Sequence, residues 1–166
     1  GTRYISRYRS VDPKPIQDIF GHIQSRIQAG VEDNPELLKD GEWLKHNLPF
    51  TGEVMLGHLR YGTYGKNAIE STHPFLRQNN WMTRNLITAG NFNMTNVDEL
   101  FDQLVELGQH PKEKADTVTV LEKIGHFLDE ENDRLYYDYK EKGYSKVEST
   151  PLIAENLDIP KILTES

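Results

Sequence analysis

The stretch NLITAGNFNMTNVDEL, residues 85–100, contains a strand pattern followed directly by a helix pattern. The apolar run over 85–89 predicts a short strand that ends at Gly90-Asn91, where turn-forming residues follow. Asn96 precedes an amphipathic helix as its N-cap residue, and Gly108 follows the end of that helix. The apolar positions of this helix are Val97, Leu100, Phe101, Leu104 and Val105. The segment therefore predicts a fold that combines strands with helices.

Outside this stretch, helix patterns outnumber strand patterns. Apolar spacing and end signals predict further helices over 16–29, 34–47, 116–128, 135–142 and 151–157. In the helix that Asp116 begins, the apolar positions are Val118, Val120, Leu121, Ile124, Phe127 and Leu128. Two more strands are predicted over 2–9 and 53–61. We expect an α+β fold, with residues 1–166 forming one domain.

The composition limits the classes of partner. The formal net charge of −7 and a sequence pI near 5.4 argue against binding to nucleic acid or to an anionic membrane. The sequence has no apolar stretch long enough to span a bilayer. The sequence contains no cysteine, which excludes disulfides and thiolate metal sites. We therefore expect a cytoplasmic protein. The histidines show no spacing typical of a metal site, so no metal is predicted.

Polar groups follow apolar stretches at three separate points, and together they can hold a free amino acid. Arg60 and Thr63 follow the predicted strand over 53–61, and the planar guanidinium of Arg60 suits a carboxylate. Asn91, with neighbouring backbone N–H groups, suits the oxygen that becomes negative when an amide carbonyl is attacked. The carboxylate of Asp116 suits an ammonium group.

Each of these residues also has a purely structural interpretation. Arg60 can pair with an acidic side chain at the edge of the core, and Asn91 can be an ordinary turn residue. Asp116 can be the N-cap of its helix, a role worth about 1 kcal/mol. Asp116 can have both roles, because one oxygen of its carboxylate can cap the helix while the other binds the ligand. The density of amides at Asn91, Asn93 and Asn96 favours a binding role for that segment.

With these residues identified, the chain resembles the glutamine-hydrolysing domain of class II glutamine amidotransferases. Within that family it is most similar to the amidophosphoribosyltransferase branch of Bacteroidetes-type bacteria. A family strand ends in His-Thr-Arg-Tyr-x-Thr, and residues 58–63 read His-Leu-Arg-Tyr-Gly-Thr. The family segment His-Asn-Gly-Asn-Leu-Thr-Asn corresponds to residues 90–96, and the family segment Ser-Asp-Thr-Glu corresponds to residues 115–118. Order and spacing agree along nearly the whole chain.

The resemblance implies a role for each candidate residue. Arg60 and Thr63 would bind the α-carboxylate of L-glutamine, and Asp116 would bind its α-ammonium group. The Asn91 side chain and the Phe92 backbone N–H would form the oxyanion hole, so both are predicted as catalytic residues. Residues 61–66 would form a loop that closes over glutamine.

The resemblance also implies features beyond the site. The fold would be part of the αββα sandwich of N-terminal nucleophile hydrolases. The parent enzyme would transfer glutamine nitrogen to phosphoribosyl diphosphate in the first step of de novo purine synthesis. No cofactor is expected in these residues, whereas Mg²⁺ would act in a separate transferase domain, and the full-length enzyme would be a homo-oligomer. We expect residues 1–166 to be an internal piece of a longer chain, inactive on its own.

The sequence departs from the family pattern at important positions. Phe92 stands where the family has glycine, Gly90 and Ala115 replace histidine and serine, and no cysteine is present to act as the N-terminal nucleophile. Thr2, after Gly1, is an alternative nucleophile of a kind that some relatives use. Two other functions stay open. One is a class II amidotransferase that forms hexosamine phosphate or asparagine, and the other is a non-catalytic glutamine-binding module.

Overall fold

The structure is a computed structural model that describes residues 5–59, 68–91, 93–111 and 115–166. The chain divides into two compact units, Gly1–Pro74 and Phe75–Ser166. In the described ranges, no helix combines the length and the apolar character needed to cross a membrane. The assignment of all 166 residues to a single glutaminase domain stays a prediction.

The described residues of the first unit form helices and 3-10 turns. Its elements are helix α1 (Pro15–Gly30), a 3-10 turn (Pro35–Lys39), helix α2 (Gly41–Asn47) and a second 3-10 turn (Ile69–Ser71). The helix predicted over 16–29 is confirmed. The helix predicted over 34–47 is instead two pieces. Asp40 separates them and caps α2, because its carboxylate accepts a hydrogen bond from the Trp43 backbone N–H at 2.9 Å.

Both strands predicted in the first unit are wrong over their described residues, 5–9 and 53–59. Val54, Met55 and Leu59 are 92%, 82% and 69% exposed, so the apolar pattern has no sheet against which to pack. A strand needs a neighbouring strand to pair its backbone N–H and C=O groups, whereas a helix pairs its own. No such neighbour occurs among the described residues of this unit.

Side-chain contacts hold the segment before α1 in place of a strand ladder. The Tyr8 ring stacks on the His22 ring of α1, with centroids 3.9 Å apart. Arg9 Nη1 donates to the carbonyl oxygens of Glu70 and Thr72, each at 3.1 Å. This part of the first unit is therefore ordered by aromatic and polar contacts rather than by a sheet.

The second unit combines a β-hairpin with helices. Its elements in chain order are β1 (Phe75–Arg77), a 3-10 turn (Met82–Arg84), β2 (Leu86–Thr88), α3 (Val97–Glu106), α4 (Asp116–Glu141), α5 (Lys146–Asn156) and α6 (Ile159–Glu165). The two strands are antiparallel, with Leu76 opposite Ile87. The strand predicted over 85–89 and the helix that follows Asn96 are confirmed. The predicted αββα sandwich stays a prediction.

Helix α4 is the centre of the second unit, because α3, α5, α6 and both strands pack against it. The buried apolar side chains of this unit are Leu104, Leu121, Leu128, Leu135, Ile153 and Ile162. The predicted apolar face of α4 is partly wrong. Val118 and Val120 are only half-buried, whereas Thr117 and Thr119 are buried. The neighbours of the helix, and not hydropathy alone, decide which face is covered.

The helices predicted over 116–128 and 135–142 are one continuous helix. Polar residues between them do not interrupt it, because they have partners. Asn132 is 1% exposed and donates to the carbonyl oxygens of Thr83 at 3.3 Å and Leu128 at 2.7 Å. A buried amide with such partners adds specificity to the packing without leaving an unpaired group.

Helix α5 begins earlier than the sequence predicts. Ser145 Oγ accepts from the Glu148 backbone N–H at 3.3 Å, and the Glu148 carboxylate accepts from the Ser145 backbone N–H at 2.9 Å. This capping box starts the helix at Lys146, so Pro151, predicted as the first residue, lies inside it. The Ser-x-x-Glu spacing is a signal in the sequence that predicts the correct start.

Candidate functional site

Residues 91–96, which we call the asparagine segment, join β2 to α3. Asn91, Asn93 and Asn96 are all exposed, so a ligand can reach their amide groups from solvent. Asn96 is the N-cap residue of α3 by position, but its side chain makes no capping hydrogen bond to that helix. The segment is therefore not held by a cap of its own.

Asp116 is the first residue of α4, and its carboxylate contacts the asparagine segment. Ala115 is the N-cap residue of α4, so the interpretation of Asp116 as the cap is wrong. Asp116 Oδ2 instead accepts from the Met94 backbone N–H at 3.0 Å. The side chain is half-buried. The structure thus brings the predicted ammonium ligand to the segment that carries Asn91.

The two helices that border this site begin at the same end of the second unit. Met94, which precedes α3, contacts Asp116 at the start of α4, and Gln103 within α3 accepts from Lys123 Nζ within α4 at 3.3 Å. On both helices the second contact lies further from the N-terminus than the first, so α3 and α4 run in the same direction. Helix N-termini carry unpaired backbone N–H groups and partial positive charge. This end of the unit therefore favours anionic groups, such as the carboxylate of Asp116.

Several predicted residues lie outside the described ranges. These are Thr2, Arg60, Thr63 and Phe92, together with the loop predicted to close over glutamine, 61–66. Their roles stay predictions. His58, two residues before Arg60, is described, and its ring centroid lies 4.4 Å from that of His73 in the first unit.

Ion pairs fix the hairpin that leads into the asparagine segment onto α4. Arg77 of β1 donates to Asp129 at 2.6 Å and to Glu122 at 3.2 Å, and the bond to Asp129 is the main reason that the pKa of Arg77 is raised. Arg84 also pairs with Asp129, at 3.7 Å. The Arg77 side chain crosses α4 at Gly125, where a Cβ atom would approach its Cδ and Nε atoms to 2.5 Å.

A second ionic group ties α6 to α4. Glu131 is 3% exposed, and its carboxylate accepts from Arg134 at 2.6 and 2.8 Å and from Lys161 of α6 at 3.2 Å. The hydrogen bonds from Arg134, followed by the one from Lys161, lower the pKa of Glu131 to about 2. Because the carboxylate is committed to these cations, its role is structural.

Sequence reasoning missed Met94, Thr88 and Thr119. Met94 contributes a backbone N–H, which no side-chain pattern can reveal. The hydroxyl oxygens of Thr88 in β2 and Thr119 in α4 are buried and have no hydrogen-bond partner among the described residues. For Thr119 the sequence does carry a signal, which is the alternation of threonine with valine over 117–120, where polar residues interrupt an apolar face.

Other surfaces of the chain do not involve the predicted residues. A groove of about 430 Å³ in the first unit is lined by Arg26, His46 and Asn47 among others, and no predicted site residue lines it. Within the described ranges, no group of three or more His, Cys, Asp or Glu side chains is arranged to hold a metal ion. The prediction that these residues bind no metal stays a prediction.

Comparison with known proteins gives a similarity to one enzyme. The amidophosphoribosyltransferase of Archaeoglobus fulgidus is 29% identical to this chain over 127 residues. The matched region covers 76% of this chain and 26% of the relative, so the chain spans about a quarter of that relative's length. No family model matches the chain, and no solved structure matches it. The similarity supports a relationship to amidophosphoribosyltransferases.

Proposed function

We propose that this chain is the glutamine-binding part of an amidophosphoribosyltransferase of the class II glutamine amidotransferase type. Such an enzyme supplies ammonia to phosphoribosyl diphosphate in the first step of de novo purine synthesis. The similarity to the Archaeoglobus enzyme supports the proposal, as do the motifs at 58–63, 90–96 and 115–118. The observation that carries it is the 3.0 Å hydrogen bond from Met94 N–H to Asp116, because it joins two of the three motifs.

In this proposal, each polar side chain binds a different group of glutamine. Asp116 binds the α-ammonium group, while Arg60 and Thr63 bind the α-carboxylate, so the side-chain amide is held in one orientation. Attack on the amide carbon gives its oxygen a negative charge, to which the Asn91 amide and the Phe92 N–H donate. Removing one such donor typically raises the barrier by about 2.7–4 kcal/mol. When the intermediate collapses, the nitrogen takes up the proton given up by the attacking group and leaves as ammonia, while the acyl group stays bonded to the attacking group.

The sequence contains no cysteine. The proposal therefore gives these residues the binding of glutamine and the stabilisation of the oxyanion, and no part in the nucleophilic attack. The same proposal includes a cytoplasmic location, Mg²⁺ at the diphosphate of the acceptor and a homo-oligomeric full-length enzyme. It includes no nucleic-acid or membrane partner.

The proposal is tested by titrating the 166-residue chain with L-glutamine in a calorimeter. We expect saturable binding. Asp116→Asn should weaken it about tenfold to a hundredfold, because a charge-assisted hydrogen bond to the ammonium group is lost. The matched control is Asp102→Asn, which changes an exposed aspartate of α3 and should leave the affinity unchanged.

Two results would contradict the proposal. The first is the absence of saturable binding of L-glutamine by the wild-type chain. The second is an equal affinity of the Asp116→Asn and Asp102→Asn variants, which would remove Asp116 from the site. L-Norvaline, which lacks the side-chain amide, should bind more weakly than L-glutamine if the asparagine segment contacts that amide.

A second candidate function is a non-catalytic glutamine-binding module, because residues 1–166 supply groups that suit glutamine and no thiol nucleophile. Such a module would need high affinity in the isolated chain, since binding would be its whole activity. A dissociation constant in the low micromolar range would favour the module. Millimolar binding would favour the amidotransferase, in which other segments complete the site.

A further inference from the structure

The hydrogen bond between Asp116 and Met94 joins parts of the chain that are 22 residues apart. Oδ2 of Asp116 accepts from the backbone N–H at the middle of the asparagine segment. The Asn96 side chain makes no capping hydrogen bond to α3. The contact is partly buried, which protects it from competition by water.

We infer that Asp116 is a positioning residue for the asparagine segment as well as a ligand for the ammonium group. This inference rests on the proposed function. A carboxylate has two oxygens, and Oδ2 is committed to Met94. In this inference Oδ1, the second oxygen, is the atom that binds the ammonium group. One side chain thus connects recognition of the α-amino group with the placement of Asn91.

The two roles are energetically coupled. An ammonium group on Oδ1 fixes the orientation of the carboxylate, and that orientation keeps Oδ2 on the Met94 N–H. Conversely, a segment held in place by Oδ2 presents Oδ1 to the ligand. Binding at one oxygen therefore favours the arrangement at the other, and the coupling is reciprocal. A side chain that bound only the ammonium group would have no influence on ligands that lack one.

The test uses 4-carbamoylbutyrate, which has the carboxylate and the amide of glutamine but no α-ammonium group. In Asp116→Asn, the amide oxygen still accepts from the Met94 N–H, whereas Asp116→Ala removes the acceptor. We expect Asp116→Ala to weaken binding of 4-carbamoylbutyrate about tenfold and Asp116→Asn to leave it unchanged. Both variants should weaken binding of L-glutamine.

A second measurement reads the segment directly, without ligand. The Met94 amide should exchange with deuterium about tenfold faster in Asp116→Ala than in the wild type, and at the wild-type rate in Asp116→Asn. The amides of α4 around Leu128 should exchange equally in all three proteins, which verifies that the variants are folded. Asp102→Ala is the matched control and should change neither exchange at Met94 nor binding.

The outcomes separate the two proposals. If the wild-type chain binds 4-carbamoylbutyrate and Asp116→Ala binds it equally well, the positioning role is overturned while glutamine binding stands. An unchanged exchange rate at Met94 in Asp116→Ala overturns it as well. If the wild-type chain binds neither ligand, the proposed function fails, and the inference fails with it.

Discussion

Among the described residues, the first unit has one buried apolar side chain, whereas the second unit buries six around one helix, although both units also expose large apolar side chains. In the first unit Val54 and Met55 are 92% and 82% exposed, and Val31 is its buried apolar side chain among the described residues. In the second unit Leu104 is fully buried, and Ile153 and Ile162 are 1% and 2% exposed. Both units have apolar patterns in their sequences, so composition does not explain the difference.

The two units differ because a helical apolar pattern needs less surrounding chain than a strand pattern does. The helical patterns of the second unit pair their own backbone groups and need only a neighbouring helix or hairpin. The strand pattern over 53–59 needs a partner strand, and the described residues of its unit provide none. The predicted sheet is therefore missing where its pairing is non-local, and present where a hairpin makes it local.

The largest expected effect on the free energy of unfolding comes from replacing a buried leucine with alanine, compared with the same replacement at an exposed leucine of the other unit. Leu104→Ala should lower the free energy of unfolding by about 2–5 kcal/mol, because it opens a cavity between α3 and α4. Leu59→Ala, at a side chain 69% exposed, should change it by less than about 0.5 kcal/mol. Urea unfolding is followed by tryptophan fluorescence. A Trp43→Phe background leaves Trp81 to report on the second unit, and a Trp81→Phe background leaves Trp43 to report on the first. Equal losses in both variants would break the comparison.

A smaller effect is expected at the ionic group that ties α6 to α4. Glu131→Gln should lower the free energy of unfolding by about 2 kcal/mol at pH 7, because the nearly buried carboxylate accepts hydrogen bonds from two cations. Glu42→Gln in the first unit, at an exposed pair with Lys45, should have little effect. Urea unfolding at a series of pH values measures both variants.

The pH dependence of Glu131 has a definite sign. Its pKa is lowered from an ordinary value of 4.5 to about 2 in the folded protein. The stability that it contributes is therefore complete above pH 4.5 and is lost as the pH falls toward 2. The difference between wild type and Glu131→Gln should shrink over that range. A difference that stays constant down to pH 2.5 would contradict the assignment.

The smallest effect compares one glycine from each unit. Gly21→Ala in α1 has open space around the new Cβ and should raise stability by up to about 1 kcal/mol through helix propensity. Gly125→Ala in α4 should lower it by about 1 kcal/mol, because the Cβ displaces Arg77 from its bonds to Asp129 and Glu122. Thermal unfolding measures both. If both variants are stabilised, Arg77 is free to move and the hairpin does not depend on its place.

Much of the second unit could be predicted because its signals are local. The helix after Asn96 and the strand over 85–89 follow from apolar spacing and turn residues. The start of α5 was missed although Ser145 and Glu148 have capping-box spacing. The continuity of α4 could not be predicted, since one of the two carbonyl oxygens that accept from the buried Asn132 amide belongs to Thr83, distant in sequence.

The candidate site likewise combines features that the sequence predicts with a contact that it does not predict. The residue types follow directly from the sequence, since an arginine, an amide and a carboxylate are chemically suited to the groups of an amino acid. The contact of Asp116 with the backbone at Met94, in place of a cap on its own helix, is visible only in the folded chain. Side-chain chemistry can be read from the sequence, whereas a backbone N–H is common to nearly every residue. Which of these donors a carboxylate meets depends on how α3 and α4 pack.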